Sequence, residues 1–161
     1  MNKIKEIAEK YIGQKEITGN RGFLDPLFET KMRSVGFYTG APWCLFFVKL
    51  VWHEAGQNHS RVSSSSVQTM KMASKDKNWH TVPVVGAIAI FRMFKNGEPT
   101  SQGHGCIVTE IGKGIYTTVD GNTSDKNQRE GIMVAIRNRH LNAESWNKNN
   151  GLRLMGFVYP K

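Results

Sequence analysis

The residue best suited to nucleophilic chemistry in this chain is Cys44, which follows the segment Gly40-Ala41-Pro42-Trp43. From Leu45 to Ala55 the residues are apolar on almost every side, which is typical of a buried helix, and Gly56 is a stop signal. Proline suits a first helical turn, because its missing N–H group is not needed there. Cys44 is therefore predicted to lie where unpaired N–H groups and the helix dipole favour a thiolate. An unreactive buried cysteine is the alternative.

His104 is the histidine that best fits as a partner for Cys44. It opens the apolar run Gly103-His104-Gly105-Cys106-Ile107-Val108, where flanking glycines leave a side chain accessible and a strand gives it a fixed direction. By contrast, His53 lies nine residues along the predicted cysteine helix, which at ~100° per residue places it on the opposite face. A histidine that merely caps a strand edge is the alternative at position 104.

A third polar group is expected from the next β-prone run, which ends in Asp120-Gly121-Asn122. In a regular strand Asp120 and Asn122 face the same side. A short turn at Gly112-Lys113-Gly114 would pair this run antiparallel with the His104 run. Either Asp120 or Asn122 could then accept the imidazole N–H and fix its tautomer, and the sequence leaves both open. An ordinary Asp-Gly-Asn turn is the alternative.

The order of the predicted elements indicates an α+β fold. Helices are expected at residues 3–12, from Asp25-Pro26 with Leu27, Phe28 and Met32 on one side, at 45–55, and as one or two turns at 67–73. Loops are expected at 14–20 and 57–66. The β-prone runs are Val84–Met93, Gly105–Ile111, Ile115–Asp120, Ile132–Asn138 and Leu152–Tyr159. Because these runs follow one another closely, the sheet is expected to be mainly antiparallel. The 161 residues suit a single domain, 1–161.

Composition narrows the classes of partner. The chain carries 22 Lys and Arg against 13 Asp and Glu, a net charge of +9, which favours an anionic partner. The basic residues are scattered, without the basic-aromatic motif of a nucleic-acid module, so no nucleic acid is expected. No apolar run reaches membrane-spanning length, so no membrane insertion is expected. The N-terminus lacks the apolar core of a signal peptide, which predicts synthesis in the cytoplasm and release by another export route or by lysis.

Together, the Ala-Pro-Trp-Cys helix start, the Gly-His strand and the Asp-Gly-Asn-Thr-Ser strand end resemble the CHAP group of cysteine, histidine-dependent amidohydrolases and peptidases. CHAP enzymes are relatives of the NlpC-type wall hydrolases within the papain-like superfamily. The resemblance covers roughly residues 5–125 in order and spacing. It implies a papain-like α+β fold whose N-terminal helices pack on the sheet.

The resemblance also implies roles for individual residues. Cys44 would attack an amide carbonyl, while His104 would take its proton and pass it to the leaving amine. Asp120 would match the orienting acid of the family and Asn122 the polar residue two positions on. The Cys44 N–H would be the main oxyanion donor, with Tyr38 as a weaker candidate. Tyr38 and Trp43 are the candidate substrate-binding residues.

Two departures from the family pattern lead to further expectations. The calcium-binding acidic loop of some phage relatives is absent before Cys44, so neither a metal nor another cofactor is expected. Cys106 stands where a small residue is usual and should share a strand face with His104. A Cys44–Cys106 disulfide, which would silence the nucleophile, is therefore a hypothesis.

The expected function is hydrolysis of peptidoglycan at an amide bond of the stem peptide. The enzyme would be an endopeptidase or an N-acetylmuramoyl-L-alanine amidase, acting in the cell wall or periplasm as a secreted antibacterial effector or a phage lysin. An effector would add an immunity protein as a partner. A cysteine peptidase acting on protein, or a non-catalytic wall-binding module, are the alternatives.

Overall fold

The described part of the chain combines four α-helices with a five-stranded antiparallel sheet, which agrees with the α+β expectation. The computed structural model describes residues 2–123, 132–141 and 149–161. The helices are α1 (Lys3–Lys10), α2 (Pro26–Ser34), α3 (Cys44–Ala55) and α4 (Ser66–Lys75), with a 3-10 turn at His59–Arg61. The strands are β1 (Ile88–Lys95), β2 (Glu98–Ile111), β3 (Ile115–Thr123), β4 (Met133–His140) and β5 (Gly151–Val158). None of the described helices is long and apolar enough to cross a membrane.

The sheet has the strand order β4-β3-β2-β1-β5, and every neighbouring pair is antiparallel, which confirms the predicted pairing. Strand β2 begins at Glu98 rather than at Gly105, so His104 lies inside a strand instead of opening one. The cause is a tight β1–β2 turn at Asn96-Gly97, where both residues have positive φ, 52° and 79°. Turns of this kind match the twist of two long paired strands, so the hairpin extends beyond the predicted run.

Helix α3 is buried on nearly all sides, as its apolar sequence predicts, and packs against β2 and β3. It begins at Cys44, and Gly56 ends it in the left-handed conformation with φ 78°. Pro42 was expected in the first turn, but the helix begins two residues later, after Trp43, so Pro42 lies outside it. Cys44 therefore occupies the first helical position, as predicted.

The other helices differ from expectation in their bounds. α1 ends at Lys10 and α4 runs on to Lys75. In α2 the Asp25 side chain accepts hydrogen bonds from the first-turn N–H groups, and Phe28 and Met32 are buried. Leu27, predicted on that apolar side, is instead 65% exposed, because it lies ~100° around the helix from Phe28, while Met32, four residues on, shares the face of Phe28.

The segment 14–20, predicted as a loop, contributes to the edge of the sheet. Lys15 bridges Met133 of β4, and the Glu16 N–H donates to the Ile132 carbonyl at 2.8 Å. This pairing satisfies backbone groups that the edge strand β4 would otherwise expose. It also brings the Glu16 side chain to the rim of a cleft beside Cys44.

Gly121 allows α3 to approach the sheet closely. A Cβ atom at this position would lie 2.6 Å from the Phe47 Cβ and 2.9 Å from the Trp43 ring. Because the Phe47 Cβ is fixed to the helix backbone, Gly121→Ala should displace α3 and lower the free energy of unfolding by about 1–3 kcal/mol. Urea unfolding measures this change. Gly112→Ala is the matched control, since its Cβ would meet nothing nearer than 3.7 Å. Equal stability of the two variants would contradict the packing argument.

Candidate active site

Three elements bring Cys44, His104 and Asp120 to one cleft of about 880 Å³. Cys44 comes from the first turn of α3, His104 from β2 and Asp120 from β3. The pairing of Ile107 with Val119 places the end of β3 beside the His104 half of β2, as the antiparallel prediction requires. The cleft is also lined by the N-terminal segment at Glu16, by the serines 64–66 before and at the start of α4, and by Asn122, Arg137 and Arg139.

Asp120, rather than Asn122, contacts the histidine. The His104 Nε2 lies 2.7 Å from the Asp120 Oδ2, and the imidazole is 12% exposed while the carboxylate is fully buried. Asn122 also lines the cleft but has φ 53°, and the β3–β4 register shifts between Asp120 and Thr123. The regular alternation assumed from sequence therefore ends at Asp120. With Nε2 directed at Asp120, the Nδ1 atom is the nitrogen left for Cys44.

The Cys44 thiol lies in surroundings that favour its ionised form. Burial opposes ionisation, but the hydrogen bond and charge of His104 outweigh it, and the Gly105 and Leu45 N–H groups add to this effect. The pKa of Cys44 is consequently lowered. Burial likewise opposes the imidazolium form of His104, yet Asp120 and Cys44 raise its pKa to about 9. The two groups are thus arranged to form a thiolate–imidazolium pair at neutral pH.

Asp120 has further partners that the sequence analysis missed. Arg139 of β4 forms an ion pair with the Asp120 Oδ2, and the Thr118 hydroxyl donates to Oδ1. Although burial alone would raise the pKa of Asp120, the Arg139 charge and the His104 contact lower it. Thr118 could have been found from its spacing, two residues before Asp120 on one strand face. Arg139 lay one residue beyond the predicted end of its β-run.

The cluster of His104, Cys106 and Asp120 has its ligand atoms within 4.8 Å of one another, which raises the question of a metal ion. The cluster fits a metal poorly. The Asp120 Oδ2 already accepts from both His104 and Arg139, and a guanidinium at this oxygen repels a cation. Cys106 is fully buried and its pKa is raised, mainly by that burial, so its thiolate is disfavoured. The contacts of Asp120 with Arg139 and His104 are those of an ion-pair network and not those of a metal site.

Trp43 and Tyr38 do not have the positions expected of substrate-binding residues. Trp43 is fully buried, stacks edge-to-face on Phe23, and donates its indole N–H to Glu16 Oε2 at 2.8 Å. Trp43 therefore packs in the core and holds Glu16, which lines the cleft, from the side away from solvent. Tyr38 is 62% exposed, contacts the Phe46 ring, and is not among the residues that line the cleft.

Comparisons of this chain with models of known families, with curated proteins and with solved structures found no match. Functional inference therefore depends on the geometry of this cleft and on the motifs in the sequence.

The Asp120 charge sets the pH range of the thiolate–imidazolium pair. Because the pKa of His104 is raised to about 9, the imidazolium persists below that pH and is lost above it. Asp120→Asn removes the negative charge, so this upper limit should move to lower pH and thiolate reactivity at pH 7 should fall about tenfold or more. The rate of Cys44 alkylation by iodoacetamide reports the thiolate, and an NMR titration of the His104 imidazole reports the upper limit, because a thiolate still reacts after the imidazolium is lost.

Asn122→Gly is the control for this measurement, since glycine tolerates the positive φ at that position. It should keep the upper limit near that of the wild-type protein. A shift in Asn122→Gly with none in Asp120→Asn would contradict the assignment of Asp120.

The disulfide hypothesis can be tested by counting thiols. Both Cys44 and Cys106 are free and buried in the structure, contrary to that hypothesis. Unreduced protein should therefore give two thiols per chain in denaturant, and in the native state Cys44 should react first, since Cys106 is shielded and has a raised pKa. Titration with Ellman's reagent measures this. Fewer than two thiols per chain without reductant would instead support the Cys44–Cys106 disulfide.

Proposed function

We propose that this protein is a cysteine hydrolase that cleaves an amide bond of the peptidoglycan stem peptide, as an endopeptidase or an N-acetylmuramoyl-L-alanine amidase. The proposal includes a papain-like fold of the CHAP or NlpC type and the single catalytic domain 1–161. One observation carries the proposal: Cys44, His104 and Asp120 lie next to one another in an open cleft. Cys44 is at the N-terminus of a helix, and His104 and Asp120 are on two antiparallel strands. The likeness of the three motifs to the CHAP group supports the choice of substrate.

The reaction would proceed through an acyl-enzyme. The Cys44 Sγ attacks the carbonyl carbon of the scissile amide, and the carbonyl electron pair moves to oxygen. As the C–N bond breaks, the His104 imidazolium gives its proton to the leaving amine nitrogen. Water then attacks the thioester while His104 accepts a proton, which releases a carboxylic acid and regenerates the thiolate. Asp120 holds the ring in the tautomer and orientation that these transfers need.

The start of α3 would stabilise the oxyanion of the tetrahedral intermediate. Among the described residues, no side chain caps this helix, and its first backbone hydrogen bond runs from the Phe47 N–H to the Trp43 carbonyl. The Leu45 N–H is directed at the Cys44 sulfur, which makes the Cys44 N–H the main candidate donor. Tyr38 would have to move toward the cleft to contribute.

The surroundings of the cleft are compatible with a peptide that carries charged groups. Glu16 supplies a carboxylate that the Trp43 indole orients, and Arg137 and Arg139 line another part of the cleft. The net charge of +9 suits an anionic wall polymer. As a proposal, the enzyme reaches the wall or periplasm by export or lysis. If it is a toxin, an immunity protein that covers this cleft would be its partner.

The test is digestion of purified sacculi of several wall types by the wild-type protein, Cys44→Ala and Cys106→Ala under reducing conditions. Wild type and Cys106→Ala should release muropeptides, because Cys106, although its sulfur lies within 4.8 Å of the His104 and Asp120 ligand atoms, is fully buried and does not line the cleft. Cys44→Ala should release none, since it lacks the nucleophile. Mass spectrometry of the fragments distinguishes an amidase from an endopeptidase.

The alternatives predict other outcomes. A cysteine peptidase that acts on protein would degrade unfolded casein and leave sacculi intact. A non-catalytic wall-binding module would sediment with sacculi without releasing fragments, and its Cys44 would be no more reactive than free cysteine at neutral pH. Either result would overturn the proposal.

A further inference from the structure

We propose that Arg139 is a positioning residue of this site, whose guanidinium fixes the Asp120 carboxylate toward His104 and offsets part of its charge on the imidazole. The inference rests on the part of the proposed function that makes Cys44 the nucleophile, and it is independent of the substrate. Arg139 acts through Asp120 and is not itself a group that touches the reacting atoms.

The guanidinium is held from three sides. One nitrogen forms the ion pair with the Asp120 Oδ2, and Nε donates to the Thr118 Oγ1 at 3.0 Å. Thr118 in turn donates to the Asp120 Oδ1, so arginine, threonine and aspartate form a closed ring of hydrogen bonds. The Arg139 Cζ also lies 4.5 Å from the centroid of the Phe91 ring. This fixed geometry leaves the carboxylate one orientation, with Oδ2 toward His104 Nε2.

The same oxygen, Asp120 Oδ2, accepts from Arg139 and from His104. A positive charge this close opposes the imidazolium that Asp120 stabilises. Arg139 therefore limits how strongly the carboxylate holds the proton on His104, which matters because that proton must leave in each catalytic cycle. Without Arg139 the full charge of Asp120 would act on the ring.

Other ionisable groups face the same carboxylate and must be considered in any pH experiment. On β2 these are His104 itself and Cys106, on β3 Tyr116, on β4 Arg139, and on α3 Cys44 through the imidazole. Burial raises the pKa values of Cys106 and Tyr116, so both stay neutral near pH 7. Of the groups that face this carboxylate, Cys44 and His104 are therefore the two whose titration the experiment follows.

The experiment measures two quantities against pH, the alkylation rate of Cys44 by iodoacetamide and the NMR signal of the His104 imidazole. Both are recorded in the wild-type protein, Arg139→Met, Arg139→Gln and Arg139→Lys. Loss of a positive charge raises the pKa of neighbouring acids, so the rise of the alkylation rate and the titration of His104 should both move up by about one pH unit in Arg139→Met. Arg139→Gln should shift similarly while its amide still donates to Asp120, which makes it the second neutral variant should Arg139→Met fail to fold. Arg139→Lys keeps the charge and should recover at least half of the shift.

Arg153→Met is the matched control. Arg153 also stacks on a phenylalanine of β1, with its Cζ 5.1 Å from the Phe94 ring centroid, but it lies on β5, three strands from Asp120. Its pH profile should equal that of the wild-type protein. Thermal unfolding of every variant separates loss of fold from a change at the site.

The proposal is overturned if the neutral variants fold and both of their titrations stay within about 0.3 unit of wild type, or if Arg153→Met shifts equally. If Cys44 is unreactive in the wild-type protein, the nucleophile itself is wrong, and the proposed function fails with it. If the profiles shift as expected but sacculi remain intact, the role of Arg139 stands and only the substrate is wrong.

Discussion

The site depends on a carboxylate that is fully buried, that of Asp120. Burial of an unpaired ionised group costs several kcal/mol, and loss of one partner from a buried pair costs about 3–5 kcal/mol. The fold meets this cost with Arg139, with the Thr118 hydroxyl and with His104. The buried Asp120 charge would destabilise the sheet without hydrogen-bond partners, and His104 is one of these partners. Its ring orientation and its raised pKa are two consequences of one buried charge.

The charges form an alternating row across four elements: Arg139 positive, Asp120 negative, His104 positive when protonated, and Cys44 negative when ionised. Asp120 of β3 supports the imidazolium of β2, and the imidazolium supports the thiolate of α3, while Arg139 of β4 holds the Asp120 carboxylate in place and offsets part of its charge. The helix supplies its own part of this support, because its first-turn N–H groups lie at the sulfur. Gly121 lets α3 lie close enough to the sheet to complete the row.

Local signals in the sequence were sufficient for the parts of the site that depend on local structure. The end of α3 followed from Gly56, and the meeting of His104 with the end of the next strand, at either Asp120 or Asn122, followed from two adjacent antiparallel strands. Other features depend on tertiary packing. Arg139 reaches Asp120 from a strand nineteen residues later in the chain, and no local pattern marks it. Trp43 was expected at the substrate, but the direction of a side chain just before a helix is set by the core it enters.

The measurement that tests the account most directly is the ultraviolet absorption of the thiolate, recorded between pH 4 and pH 8 as the difference between the wild-type protein and Cys44→Ser. If the row of charges operates as described, the difference spectrum shows a thiolate well below pH 8.5, the ordinary value for cysteine, and Asp120→Asn reduces it. A Cys44 that ionises only at its ordinary pKa, with no response to Asp120→Asn, would contradict the account.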